Sequence, residues 1–294
     1  MEKKENISCT VDIICPLYNA EKYILDLQKS LEKQNIYNCV KNIRYIITKG
    51  RDNTESLVKD ISQKNEKIMY KVIEPASFSH SLTRENEANE SSADIVVFIT
   101  QDVKIINKDW LEKLVNPIVD GEVQASYSRQ ICDDKTSIEY YTRQKNYPKE
   151  SRTKSKENLE ELGMNLFFYS DASSAISKKV FEELHGYDKK KLPTNEDMYI
   201  AYKLITNGYK IKYCADSEVV HSHNFTFKET FNRYKAYGEF LKQEPQINIK
   251  STKAGGGLAK YILLQALKDK NWRIIFRFFP DMCARFIGMK VGNK

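Results

Sequence analysis

Short apolar runs alternate with helical spacings along the first third of the chain, and this alternation constrains the fold more than any other feature. Val11-Asp12-Ile13-Ile14-Cys15-Pro16-Leu17 reads as a buried strand, and Asn19 to Gln34 follows with apolar residues at helical intervals through Tyr23, Ile24, Leu27 and Leu31. A second strand is expected over Ile43 to Thr48, then a helix over Thr54 to Gln63, a third strand over Ile68 to Ile73, and a polar helix over Ser79 to Ser92. The most strand-like run, Asp94 to Thr100, comes next. Strands and helices at this pitch predict an α/β fold with a mainly parallel sheet covered on both faces. Ligands in such sheets bind at the carboxyl ends of the strands, beside a switch in strand order. Tyr18-Asn19, Lys49 to Asp52 and Gln101-Asp102 all fall there.

The second half has a different texture. Asp133 to Leu162 is charged and weakly periodic and is expected as a mobile flap with some helix. Leu166 to Ser170 reads as a strand, Lys178 to His185 and Asp197 to Asn207 as helices, and Tyr209 to Tyr213 and Glu218 to His223 as short strands. The expected division is a domain over 1–245, with halves 10–103 and 104–245, and a basic amphipathic helical tail over 246–294.

Charge is unevenly distributed. The net charge is +7, and nine Lys or Arg against Asp269 and Asp281 place all of it after residue 250. A neutral body with a basic tail argues against a nucleic-acid binder and for contact with a local anionic surface. A chain of 294 residues buries enough apolar surface to need no disulfide staples. Its six cysteines lack a CxxC pair and are read as reduced, packed thiols. The start carries no apolar signal segment, so a cytoplasmic location is expected.

Several residues have chemistry suited to a site. Asp102 leaves an apolar strand as a hard oxygen ligand for Mg²⁺ or Mn²⁺, or else caps the following turn. Glu196 and Asp197 precede a helix, where its dipole favours ionised carboxylates; they are either a general base or capping acids. His221 and His223 alternate at a strand end and face one side, so one of them can join Asp102 at a metal. Arg84, Arg129 and Lys49 are candidate phosphate contacts. His80 and His185 are read as structural.

Taken in order, Cys15-Pro16-Leu17-Tyr18-Asn19, Phe78 to Arg84, Phe98-Ile99-Thr100-Gln101-Asp102, Ser128-Arg129-Gln130, Asn195-Glu196-Asp197-Met198 and His221-Ser222-His223 resemble the family 2 glycosyltransferases, in their bacterial rhamnosyltransferase-like branch. The resemblance covers about residues 10 to 240. It implies a GT-A fold and an inverting transfer of a sugar, rhamnose from dTDP-rhamnose, onto a saccharide acceptor in bacterial cell-surface polysaccharide synthesis. It further implies Asp197 with Glu196 as catalytic residues. Pro16, Tyr18, Asn19, Asp52, Arg84, Gln101 and Asp102 would bind the donor, Arg129 and Gln130 the acceptor or sugar, and Asp102 and His223 the Mn²⁺ or Mg²⁺. Two positions depart from the family pattern. No acid ends the second strand before Asp52, and Glu85 stands where Asn usually follows the arginine. A UDP-hexose or UDP-N-acetylhexosamine donor, and a non-catalytic binding module, are the competing readings.

From Leu258 to Met289, aromatic residues interleave with basic ones, and no run reaches the roughly 20 apolar residues of a membrane span. This reads as an amphipathic helix pair lying on an anionic membrane, with packing on the domain or on a second subunit as the alternative. The partners expected are a nucleotide-sugar donor, a lipid-linked saccharide acceptor, the inner face of the plasma membrane and a possible second copy. Gly255-Gly256-Gly257 reads as a hinge before this tail.

Overall fold

The computed structural model describes residues 9–249 and 257–294. Among them, one sheet contains β1 (Val11–Leu17), β2 (Val40–Thr48), β3 (Ile68–Ile73), β4 (Ile95–Ile99), β5 (Lys104–Ile105), β6 (Ala125–Ile131), β7 (Arg152–Lys154), β8 (Ser173–Ser177) and β9 (Ile211–Val220). The order is β3-β2-β1-β4-β8-β6-β9-β5, with β7 paired to β9. The helices are α1 (Glu21–Glu32), α2 (Thr54–Ser62), α3 (His80–Glu90), α4 (Trp110–Val119), α5 (Ile138–Asn146), α6 (Leu159–Leu162), α7 (Lys178–Glu183), α8 (Glu196–Thr206), α9 (Phe227–Gln243), α10 (Gly257–Lys268) and α11 (Trp272–Gly292).

The sheet is parallel from β3 to β4, as the alternation demands, and becomes mixed where β8 runs antiparallel to both β4 and β6. Its central strands are apolar on both faces because both faces are covered. Val11, Ile13, Cys15 and Leu17 of β1 pack with Ile24, Leu27 and Leu31 of α1, whereas Ile14 joins Phe98, Phe181, Ile200 and Leu204 on the other side. β1 has β2 on one flank and β4 on the other, so the strand order switches between them and their carboxyl ends border a crevice.

Three expected strands are corrected. Leu166 to Ser170 forms no strand; Gly163–Phe167 is a 3₁₀ turn that sends Leu166 and Phe167 into the core. The strand of this region is β8, whose small polar residues hide its signal. Ser173 and Ser128 both accept from the indole Nε1 of the fully buried Trp110, at 3.0 and 3.1 Å, and larger side chains would not fit there. The two short strands expected near the end are one, β9, with an irregularity where Ser128 pairs with Cys214 but Arg129 pairs with Glu218.

The C-terminal helices pack onto the body. Ile138 and Tyr141 of α5 meet Ile262, Ala266, Ile274 and Phe278 in a small separate core. α11 lies directly on α9 through glycines: a Cβ at Gly238 would fall 2.5 Å from Met289 O, and one at Gly288 2.5 Å from Phe231 O. Of the expected hinge, Gly255 and Gly256 lie outside the described residues, and Gly257 opens α10.

Candidate active site

The crevice is closed at its base by a clamp between strand ends. Tyr18 N donates to Gln101 Oε1 at 2.7 Å, and Gln101 Nε2 donates to Tyr18 O at 2.9 Å, joining the ends of β1 and β4. Pro16 sits within β1 opposite Ile46, and the Tyr18 ring is exposed. Asn19 adopts a left-handed backbone (φ 47°), and its Oδ1 accepts from Arg51 N at 3.0 Å. Gly50 lies beside it, and a Cβ there would fall 2.3 Å from that amide oxygen and push the Asn19 side chain aside. Asp52 caps α2 by accepting from Thr54 N and Oγ1, and its second oxygen accepts from Glu21 N at 2.9 Å. Lys49 is exposed and pairs with Glu74.

Beyond β4, Asp102 faces the two histidines that follow β9. His221 Nε2 lies 3.4 Å from Asp102 Oδ1, His223 Nε2 lies 3.8 Å from Oδ2, and the two Nε2 atoms are 2.7 Å apart. One donor atom from each of the three residues lies within 4.8 Å of the others. Burial works against ionisation of Asp102, but the adjacent His221 and His223 outweigh it and hold the carboxyl well below the usual range. Burial keeps both imidazoles neutral, and with the neighbouring His221 it pushes His223 down to about 4. An ionised carboxylate with two neutral imidazoles is the donor set of a divalent cation, and the two nitrogens suit Mn²⁺ better than Mg²⁺. His221 thus belongs with Asp102 and His223.

A second group of acids is held at the start of α8. Asn195 is left-handed (φ 58°) and turns Glu196 and Asp197 into the helix N-terminus. Asp197 is partly exposed; its Oδ1 accepts from Met198 N at 2.7 Å, and Oδ2 accepts from Asp171 N at 3.4 Å. Burial, then the charges of Glu196 and Asp171, push the Asp197 carboxyl well above its usual range. Asp171, which sequence reasoning missed, is buried and accepts from Ser174 Oγ at 2.7 Å and Tyr187 Oη at 2.8 Å. Its carboxyl is pushed up to about 6 by burial, against the opposing pull of Arg84. It stands in the polar stretch Ser170 to Ser174, where nothing in the residue pattern separates it from a turn acid.

Contacts tie the two groups to one end of the sheet. Ala172 O accepts from Thr100 N at 3.4 Å, just ahead of Gln101-Asp102. Gln130 bridges Ser170 and His221, with separations of 2.7 and 2.9 Å.

Two expectations do not survive this geometry, and a third residue is already engaged. Arg84 is not available to a phosphate: its side chain is 3% exposed and donates to Glu196 Oε1 and His80 O. Arg129 is engaged by Glu218 and Tyr147 O. Gln130 is 1% exposed and cannot touch an acceptor. His80, read as merely structural, has Nδ1 4.0 Å from Glu196 Oε1 and lines a cavity of about 460 Å³ with Phe78, Lys191, Leu192, Pro193 and Gln243.

Residues 12–185 match the family model described as glycosyl transferase family 2. The chain belongs to that family. This glycosyltransferase is 32% identical over 287 residues to the O-antigen chain rhamnosyltransferase RfbN of Salmonella typhimurium, covering 96% of this chain and 89% of that one. It is 35% identical over 226 residues to the O-antigen chain rhamnosyltransferase WbaN of Salmonella anatum, covering 76% of this chain and 71% of that one. Among solved structures, the transferase resembles the mannosyltransferase PcManGT from Pyrobaculum calidifontis in complex with GDP-Man and Mn²⁺. The TM-score is 0.65 at 14% identity, over 97% of this chain and 87% of that one. It also resembles residues 1–349 of TarS from S. aureus in complex with UDP-GlcNAc, with a TM-score of 0.57 at 14% identity, over 97% and 90% of the two chains. The transferase therefore has the GT-A fold expected from its sequence.

Proposed function

We propose that this enzyme is an inverting rhamnosyltransferase, taking rhamnose from dTDP-rhamnose to a saccharide acceptor in O-antigen-type cell-surface polysaccharide synthesis. The observation that carries the chemistry is the placement of Asp197, with its raised carboxyl, at the same sheet end as the ionised Asp102. The rhamnose assignment is supported by the printed activities of the relatives RfbN and WbaN.

Asp102, His221 and His223 would hold a divalent ion, Mn²⁺ or Mg²⁺, whose charge stabilises the departing nucleoside diphosphate. Asp197 accepts the proton of the acceptor hydroxyl as that oxygen attacks the anomeric carbon from the face opposite the leaving group. Glu196, paired to Arg84, holds the guanidinium in place and adds a fixed negative charge beside Asp197. The Tyr18–Gln101 clamp and the Asn19–Gly50 contact shape the crevice for the nucleotide, and Asp52 stands at its rim. The cavity beside His80 suits the acceptor sugar, offering an aromatic ring and flexible polar groups next to the acids.

Thermal unfolding in Mn²⁺ with dTDP, UDP or GDP tests the donor. Stabilisation should be largest with dTDP, and about 2.7 kcal/mol is expected at a hundredfold excess over Kd. Stabilisation confined to UDP would overturn the rhamnose assignment.

The acceptor is proposed to be lipid-linked, and the enzyme to work on the cytoplasmic face of the membrane. Among the described residues, no helix is long and apolar enough to cross a bilayer. α11 instead carries two apolar faces. Ile274, Phe278 and Gly288 are buried, while Trp272, Phe276, Phe279 and Phe286 are exposed along the opposite side, with Arg273 and Lys290 beside them. An exposed aromatic stripe flanked by cations suits the headgroup zone of an anionic leaflet. Flotation with phosphatidylglycerol vesicles should be lost in the triple variant Trp272→Ser, Phe276→Ser, Phe279→Ser. A wild-type chain that ignores vesicles but sediments as a dimer, which the variant abolishes, would assign the stripe to a second copy.

A further inference from the structure

We propose that Gln130 is a positioning residue that holds His221 with its Nε2 lone pair facing Asp102, and so sets the affinity of this site for a divalent cation. The inference rests on the metal reading given above.

Gln130 is buried on β6, and one of its amide contacts, to Arg143, is with a partner that can only donate. Its Oε1 lies 2.5 Å from Arg143 Nη1 and 2.9 Å from His221 Nδ1, and its Nε2 donates to Ser170 Oγ at 2.7 Å. A guanidinium only donates, so the atom facing Arg143 must be the amide oxygen. The reversed amide would set its NH2 group against the guanidinium, donor against donor, whereas the Ser170 hydroxyl accepts either orientation. With the oxygen fixed, His221 Nδ1 must be the protonated nitrogen, which leaves Nε2 as a lone pair. That lone pair lies where Asp102 Oδ1 and His223 Nε2 converge. The opposite tautomer would place the His221 hydrogen there; in the metal-free site the hydrogen across the 2.7 Å contact belongs instead to His223 Nε2, which releases it by changing tautomer when a cation binds.

The backbone keeps this arrangement in register. His221 N donates to Ile131 O at 2.8 Å, one residue beyond Gln130, and Gln130 pairs with Val219 across β6 and β9. Arg143 is itself held through the same Nη1 by Tyr147 Oη at 3.3 Å and through Nε by Glu139 at 3.7 Å, which Arg285 of α11 also contacts. The imidazole is thus set by a buried residue outside the Asp102, His221 and His223 cluster. A group hydrogen-bonded to the remote nitrogen of a ligating histidine typically changes metal affinity 10–100-fold when removed.

The test uses the full-length protein, with Mn²⁺ titrated calorimetrically into wild type, Gln130→Leu and Gln130→Glu, and the imidazole ¹⁵N spectrum of His221 recorded without metal. Gln130→Leu should weaken Mn²⁺ binding by about 10–100-fold and lose the Nδ1–H tautomer. Gln130→Glu, which keeps an acceptor facing both Arg143 and His221, should retain most of the affinity. Unchanged Mn²⁺ affinity in Gln130→Leu overturns the proposal and leaves the metal reading intact. Absence of Mn²⁺ binding in the wild type overturns both. Should Gln130→Leu fail to fold, the wild-type spectrum still decides, because His221 found as the Nε2–H tautomer rejects the proposal outright.

Discussion

Asp197→Asn should lower kcat by about 10²–10⁴-fold while leaving nucleotide affinity unchanged. The substitution keeps the size of the side chain and its acceptor oxygen for Met198 N, but removes its capacity to take a proton. Its position argues for this role. Asp197 is partly exposed, unlike Asp171, and is free of the ion pair that occupies Glu196. Its raised carboxyl brings its proton affinity nearer that needed by a base working close to neutrality. The same shift predicts a pH profile. Because burial and like charge raise the carboxyl, the base fills with protons as pH falls, and kcat/KM declines on the acid side. Asp171→Asn removes one negative neighbour and should move that acid limb to lower pH. Full turnover by Asp197→Asn in a donor-saturated assay would reject the assignment and favour a non-catalytic binding module.

Asp102→Asn, or treatment with EDTA, should reduce transfer by at least about 10³-fold, since a divalent ion contributes several kcal/mol to stabilising a leaving phosphate. The amide retains the shape of the side chain but loses the only anionic donor of the triad, and two neutral imidazoles bind a divalent cation weakly by themselves. The two perturbations should coincide: Mn²⁺ titration should show the site lost in the variant, and added Mn²⁺ should restore the EDTA-treated wild type but not Asp102→Asn. If EDTA leaves transfer unchanged, the triad serves another purpose, such as a hydrogen-bonded clamp between β4 and β9, and the leaving group is neutralised elsewhere.

The half of the fold built from β1 to β4 was legible because parallel strands buried on both faces are written as uninterrupted apolar runs, and Val11 to Leu17 and Asp94 to Thr100 are such runs. β8 was not, since its environment selects serines that meet a buried indole, and a strand made of Ser-Ser-Ala-Ile-Ser carries no hydrophobic period. The run Leu166 to Ser170 reads as a strand because apolar content alone does not distinguish a core-filling turn from an extended segment. At the site, Asp102 and His223 were legible from their places just past strand ends. Asp171 was not, because its significance comes from Asp197, Tyr187 and Arg84, all distant in sequence. Arg84 and Gln130 lie in segments the motifs marked as important, yet their tasks are set by burial: one guanidinium is committed to Glu196, one amide to an imidazole.

The glycines that let α11 touch α9 leave no side-chain cushion between two backbones, so neither helix can roll or slide without the other. α9 begins four residues after His223 and ends beside the cavity at His80. If α11 rests its aromatic side on a membrane, as proposed, that surface would set the tilt and stand-off of the candidate active site, and an acceptor anchored in it would present its end at a constant height.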